Sequence, residues 1–221
     1  MMTKEETFVE IPVGKVKLEG NLVVPKGAEG VVLFAHGTGS SRFSPRNRYV
    51  AEVLQKAGIA TLLMDLLTKE EERVDMFTAE LRFDIGMLAD RLIGAVQWLK
   101  RNPGTKHLVI GCFGASTGAA AALIAAAKCP GDVKAVVSRG GRPDLAMPYL
   151  PQVKAPTLLI VGGDDEPVIG MNREAMEALS SVKRLEIIPG ATHLFEEPGT
   201  LERVAGLAAG WFSKYLKQGK R

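Results

Sequence analysis

Ser116 sits in Gly114-Ala115-Ser116-Thr117-Gly118, between a strand-like apolar run (His107 to Cys112) and an alanine-rich, helix-like run (Ala119 to Lys128). A Gly-x-Ser-x-Gly in that setting reads as a nucleophile elbow. The turn strains the serine backbone and leaves no room for bulk two residues before or after it. The hydroxyl then stands at the head of the sheet, beside a helix N-terminus whose free N–H groups favour a developing anion.

A serine hydroxyl is a weak nucleophile at neutral pH. It needs a base to take its proton and a third group to orient that base. The chain has three histidines. His107 opens a predicted strand at the end away from the elbow. His36 ends another strand, in His36-Gly37-Thr38-Gly39, and reads chiefly as a loop anchor. His193 lies in Pro189 to Phe195, the loop after the last predicted strand. Such loops surround the elbow, so His193 is the candidate base. The candidate acid is Asp165, within Gly162-Gly163-Asp164-Asp165, with Asp164 as the neighbouring alternative. An oxyanion needs two backbone N–H donors. Thr117, after the serine, supplies one, and Thr38 is the expected second.

These groups must be carried by strand ends. Thr7 to Val24 alternates in hydrophobicity and reads as an antiparallel opening. Gly30 to Ala35 is a continuous apolar run, as expected of a strand covered on both faces. Strands are also expected at Ile59–Met64, Val133–Val137, Thr157–Val161 and Arg184–Ile188. Helices are expected at Tyr49–Ala57, Asn172–Leu179 and Leu201–Leu216. One long helix is expected from Met76 to Arg101, where Leu81, Ile85, Leu88, Leu92, Val96 and Leu99 recur at three- and four-residue steps. This alternation implies a mostly parallel sheet with helices on both faces.

At 221 residues, 46% hydrophobic, the chain suits one α/β domain spanning 1–221. The net charge of +3 is dispersed, which argues against nucleic-acid binding. Gly37-Thr38-Gly39 lacks the third glycine of a dinucleotide fingerprint, and the chain has no phosphate-binding Gly-Lys-Ser/Thr loop. No apolar run reaches the ~18 residues of a membrane span. Met1 to Glu6 is polar with no apolar signal core after it, so a soluble, cytoplasmic protein is expected. The ending from Lys217 to Arg221 reads as a short basic tail. Cys112 and Cys129 are expected at opposite ends of the sheet as free thiols, Cys112 behaving as a buried apolar residue.

The series His36-Gly37-Thr38-Gly39-Ser40, Gly114 to Gly118, Gly163-Asp164-Asp165 and Ala191-Thr192-His193 resembles the α/β-hydrolase superfamily. Within it the chain looks like the compact dienelactone hydrolase-like group, over about Val31 to Phe212. The chain order Ser116, Asp165, His193 agrees. The resemblance implies an eight-stranded α/β-hydrolase fold and serine-type ester hydrolysis through an acyl-enzyme, with no metal and no organic cofactor. Dienelactone hydrolases proper resemble this fold but carry cysteine at the elbow, so Ser116 favours a general carboxylesterase. Ser44 to Asn47 and Ser138 to Asp144 look like stretches of group members that accompany phosphoribosyltransferase domains; the chain bears no such signature, which implies a stand-alone hydrolase.

The interval Ser138 to Pro156 has room for a loop or one helical turn but no lid domain, so an open, shallow site for short-chain esters is expected. Phe113, Met147, Tyr149, Leu150, Leu194 and Phe195 are candidates for its apolar wall. Arg139 and Arg142 are candidates to hold an acidic substrate, against ion pairing with Asp144 or Asp84. Asp65 reads as a loop anchor. The expected partner is a small-molecule ester, and the expected assembly a monomer or homodimer. Two alternatives stand beside the carboxylesterase: a lactone or dienelactone hydrolase gripping an acid through Arg139 and Arg142, and a non-catalytic hydrolase-fold binding protein.

Overall fold

The structure, a computed structural model, describes residues 5–217. Met1 to Lys4 of the polar start and Gln218 to Arg221 of the basic tail lie outside the described residues.

The opening alternation forms a hairpin, β1 (Thr7–Val13) and β2 (Val16–Val23). Six further strands follow: β3 (Gly30–Ala35), β4 (Ala60–Met64), β5 (Val109–Ala115), β6 (Val133–Arg139), β7 (Thr157–Gly162) and β8 (Lys183–Ile188). They make one eight-stranded sheet in the order β1-β2-β4-β3-β5-β6-β7-β8. β1 and β2 run antiparallel, β2 meets β4 antiparallel, and every later pairing is parallel. β3 shows why its residues are all apolar. Val31, Leu33 and Ala35 enter the core on one face, and Val32 and Phe34 the core on the other.

α3 (Ile85–Arg101), α4 (Thr117–Lys128) and α5 (Glu166–Ala178) cover the first face; α1 (Pro45–Lys56) and α6 (Thr200–Tyr215) cover the second. Every residue of α4 from Thr117 to Ala127 is buried. Its alanines keep the helix axis close to the sheet, which holds the turn before it rigidly.

The long helix expected from Met76 is in fact broken. A separate helix, α2 (Lys69–Thr78), precedes a 3-10 turn at Leu81–Phe83, and α3 begins only at Ile85. Ala79 ends α2 in the left-handed region (φ 54°), and the Asp84 side chain caps α3 by accepting from the Met87 N–H. A reciprocal capping box between Thr68 and Glu71 starts α2. α1 begins four residues before the expected Tyr49, because Ser44 caps it and Pro45 presets its first turn. α5 likewise begins at Glu166 rather than Asn172. The interval after β6 holds a ten-residue 3-10 segment, Pro143–Gln152, longer than the single turn expected, and no lid domain.

Both cysteines are free. β5 runs on to Ala115, so Cys112 lies within the strand rather than at its end, and burial pushes its thiol up to about 12.

Candidate active site

Ser116 occupies the one-residue turn between β5 and α4, at φ 51° and ψ −124°. A non-glycine residue there carries strain of about 1–3 kcal/mol, sustained only when its surroundings hold it. They do: the Ser116 N–H donates to the Arg139 carbonyl at 3.2 Å, and the Ser116 carbonyl accepts from the Ala119 N–H at 3.1 Å and the Arg142 N–H at 3.0 Å. The flanking glycines are sterically required. A Cβ on Gly114 would lie 2.4 Å from Ala119 Cα, and one on Gly118 would lie 2.4 Å from the Ala35 carbonyl oxygen. The Ser116 side chain makes no capping bond to its own helix.

Asp165 lies at the N-terminus of α5, just beyond β7, but its carboxylate does not cap the helix. Oδ2 instead meets His193 Nδ1 at 2.7 Å. Asp164 is held by its backbone, its N–H donating to the Ala191 carbonyl at 3.0 Å. The geometry thus separates the two candidate acids. With Nδ1–H donated to Asp165, His193 keeps Nε2 as its basic atom. A Cβ placed on Gly140 would lie 3.5 Å from His193 Cε1. Gly140 directly follows Arg139, which bonds the Ser116 amide, so the imidazole stands beside the elbow. Glu197 pins the same loop, accepting from the Thr192 N–H at 3.1 Å and the Thr192 hydroxyl at 2.6 Å. Those bonds hold its carboxyl below the usual range.

The two expected oxyanion donors behave differently. Thr117 opens α4, where first-turn N–H groups lack helical partners. The Thr38 N–H, in contrast, is engaged: it donates to Thr117 Oγ1 at 3.0 Å, and the two hydroxyls lie 2.9 Å apart. His36 is a loop anchor. It is buried, its Nδ1 lies 3.0 Å from the Gly37 carbonyl, and its Nε2 accepts from the Leu66 N–H at 3.1 Å. Burial pushes its pKa below the ordinary value of 6.5, outweighing the Gly37 bond and the Asp65 charge. Asp65 is also an anchor, accepting from the Arg42 backbone at 2.7 Å and pairing with the Arg42 guanidinium.

A cavity of about 600 Å³ lies on the Thr38 and Thr117 side of the elbow. Its apolar wall is Phe43, Leu66, Leu67, Met76 and Leu88. None of the wall residues expected from sequence lines it. Phe113 is fully buried against Phe34, and Leu150 and Phe195 belong to the core. Met147 and Tyr149 pack beside the core on the 3-10 segment, and Leu194 is exposed at the His193 loop. The wall comes instead from α2, from the first turn of α3 and from the loops after β3 and β4. Ser116, Asp165 and His193 are not among the residues lining the cavity, which adjoins the elbow through Thr38 and Thr117.

Of the two arginines, Arg142 is committed: Nε and Nη2 bind both carboxylate oxygens of Asp144 at 2.9 and 2.8 Å. Among the described residues Arg139 has no ion pair; it is only 8% exposed, with Nη1 buried and unpartnered. Sequence reasoning missed Arg46, which lines the cavity from the first turn of α1. The Ser44-Pro45 helix start was the available signal. Among the described residues, no group of three or more His, Cys, Asp or Glu side chains is placed to hold a metal ion, and no helix is long and apolar enough to cross a membrane.

A parallel sheet with an antiparallel opening, a strained serine between strand and helix, and a carboxylate–imidazole pair from later loops define an α/β hydrolase. The chain belongs to the dienelactone hydrolase family, whose profile matches residues 18–213. A dienelactone hydrolase from Anabaena variabilis is 67% identical, with a TM-score of 0.96 over 97% of this chain and 99% of that one. Est1E from Butyrivibrio proteoclasticus shares the fold at 17% identity, with a TM-score of 0.79 over 94% of this chain and 98% of that one. A Mycobacterium tuberculosis protein provisionally named a phosphoribosyl transferase is 57% identical over 208 residues, 94% of this chain. Those residues are 46% of that protein, so the chain spans about half the length of the curated relatives it matches.

Proposed function

We propose that this hydrolase is a serine carboxylesterase working through Ser116, His193 and Asp165. The observation that carries the reading is the 2.7 Å contact from Asp165 to His193 Nδ1, beside a serine strained at φ 51°. Asp165 fixes the tautomer, so that Nε2 takes the Ser116 proton as Oγ attacks the ester carbonyl. The negative oxygen of the tetrahedral intermediate receives the Thr117 N–H. Thr38 offers its N–H once the Thr117 hydroxyl rotates aside, so Thr117 Oγ1 acts as a placeholder for the oxyanion. His193 then returns the proton to the leaving alcohol, leaving Ser116 acylated. Water, deprotonated by His193, releases the acid and restores the serine.

The substrate is a small carboxylic ester. The apolar cavity has room for more than a short acyl chain, which widens the expected range towards medium-length or aromatic acyl groups. The transferase name belongs to proteins of which this chain matches under half, and the matched stretch is the hydrolase family's own. Two unbridged cysteines agree with a cytoplasmic setting.

Hydrolysis of a short p-nitrophenyl ester by wild type and Ser116→Ala tests this reading. Turnover should be abolished in the variant. Undiminished turnover would remove the mechanism.

A further inference from the structure

Two groups of one residue converge on a single oxygen beside the elbow. The Thr38 N–H donates to Thr117 Oγ1 at 3.0 Å, and Thr38 Oγ1 lies 2.9 Å from the same atom. The oxygen they meet belongs to the residue directly after Ser116, and both threonines line the cavity.

The loop that carries Thr38 is fixed against the elbow. A Cβ on Gly37 would lie 2.9 Å from Ser116 Cβ and 3.1 Å from the Ala115 carbonyl oxygen. One on Gly118 would lie 2.5 Å from the His36 carbonyl oxygen. The Gly37 carbonyl accepts from the Ser40 N–H at 3.1 Å, closing a tight turn whose third residue, Gly39, sits at φ 71°. Buried His36 braces that turn. Its Nε2 accepts from the Leu66 N–H, which leaves Nδ1–H to donate to the same Gly37 carbonyl at 3.0 Å. Thr38 is thereby held next to a glycine that packs on Ser116.

Attack changes the acceptor that Thr38 faces. Ser116 Oγ bonds to the carbonyl carbon, the C=O π pair moves onto oxygen, and the Ser116 proton passes to His193 Nε2. The charged oxygen has three lone pairs, and the Thr38 and Thr117 amides occupy two. The Thr38 hydroxyl is held at the same point, and a hydroxyl donates a bond that strengthens as its acceptor gains charge.

We propose that Thr38 is a catalytic residue through its side chain as well as its backbone, its hydroxyl serving as a third oxyanion donor. The resting contact with Thr117 Oγ1 keeps the N–H and O–H of Thr38 aimed where the oxyanion forms. The inference rests on the serine-hydrolase reading and adds a residue to it. As the carbonyl oxygen enters, one oxygen acceptor replaces another, and the Thr38 donors need no reorganisation.

Hydrolysis of p-nitrophenyl butyrate by wild type, Thr38→Val and Thr38→Ser tests the proposal. Valine keeps the branched shape and the N–H and removes only the hydroxyl, whereas serine keeps the hydroxyl. In Thr38→Val kcat should fall about 10²-fold with KM nearly unchanged, and Thr38→Ser should stay within about threefold of wild type. The ketone 1,1,1-trifluoroheptan-2-one adds to the serine as an oxyanion, so its inhibition constant should rise in Thr38→Val by the factor that kcat/KM falls. A hydroxyl that served only to hold Thr117 would lose its value once the Thr117 hydroxyl is gone. In a Thr117→Val background, the further change Thr38→Val should instead still cost about 10²-fold. Thr38→Ala makes the same deletion where the valine variant does not fold. Unchanged kcat in the folded hydroxyl-less variant, or a loss that vanishes in the Thr117→Val background, would overturn the proposal. Fluorophosphonate labelling of Ser116 alongside full turnover in that variant would sink the third donor and leave the hydrolase reading intact. Wild type with neither adduct nor turnover would remove both.

Discussion

The two sides of the cleft are built on different principles. On one side, Ser116, Asp165 and His193 sit at the ends of β5, β7 and β8, where the sheet dictates their positions. On the other, the cavity wall includes Met76 from α2, a ten-residue helix between β4 and α3 on which Val74, Met76 and Phe77 are all exposed. The first side is over-determined, with backbone bonds and flanking glycines fixing a strained serine. The second is an insertion after β4, held by the Thr68–Glu71 capping box and by Arg91, which pairs with Glu71. In the proposed mechanism, chemistry falls to the rigid side and substrate choice to the grafted one.

This contrast can be broken by substitution. Changes on the rigid side should lower kcat, and changes on the grafted side should move KM. The largest effect is expected from Ser116→Ala, which should reduce ester turnover by about 10⁴-fold or more. Asp165→Asn should follow, with kcat reduced by about 10⁴-fold through loss of the His193 tautomer, whereas Asp164→Asn should cost far less because only its backbone is engaged. Steady-state kinetics on one ester reads all three, and equal losses at Asp164 and Asp165 would contradict the assignment of the acid. On the grafted side, Met76→Ala should raise KM for a medium-chain ester by about threefold, with little change for acetate. A uniform fall in kcat for both esters would mean that α2 acts on the chemistry.

The smallest effect concerns the join between the two sides, where His36 Nε2 accepts from the Leu66 N–H. Folding depresses the His36 pKa, so the unfolded chain takes up its proton first as pH falls. Stability from this contact is complete above the ordinary value of 6.5 and is lost below it as the folded pKa is approached. Wild type should therefore lose more melting temperature than His36→Gln between about pH 7.5 and about pH 5.5. Equal losses would show that another group governs the acid limb.

The same division explains what could be read from the chain. The elbow was legible because its backbone geometry demands particular residues: Gly114 and Gly118 answer to atoms that approach within 2.4 Å. His193 and Asp165 followed from their places after predicted strands. The wall was illegible because it depends on where α2 lies in space. A helical period running through Leu81 and Ile85 conceals the break at Ala79, and only the Thr68-x-x-Glu71 spacing and the cap at Asp84 reveal it. Phe113 reads from sequence as a candidate for the wall and equally as a core residue. Strand alternation turns it into the core beneath α1 and α6. Arg142 and Arg139 are near-equals in sequence, and only the position of Asp144 separates the paired guanidinium from the bare one.

The most direct test is covalent. Folded protein treated with a fluorophosphonate and weighed intact should gain one adduct, mapped to Ser116 and absent from Ser116→Ala. No adduct, or an adduct on any other residue, would contradict an activated serine at this turn.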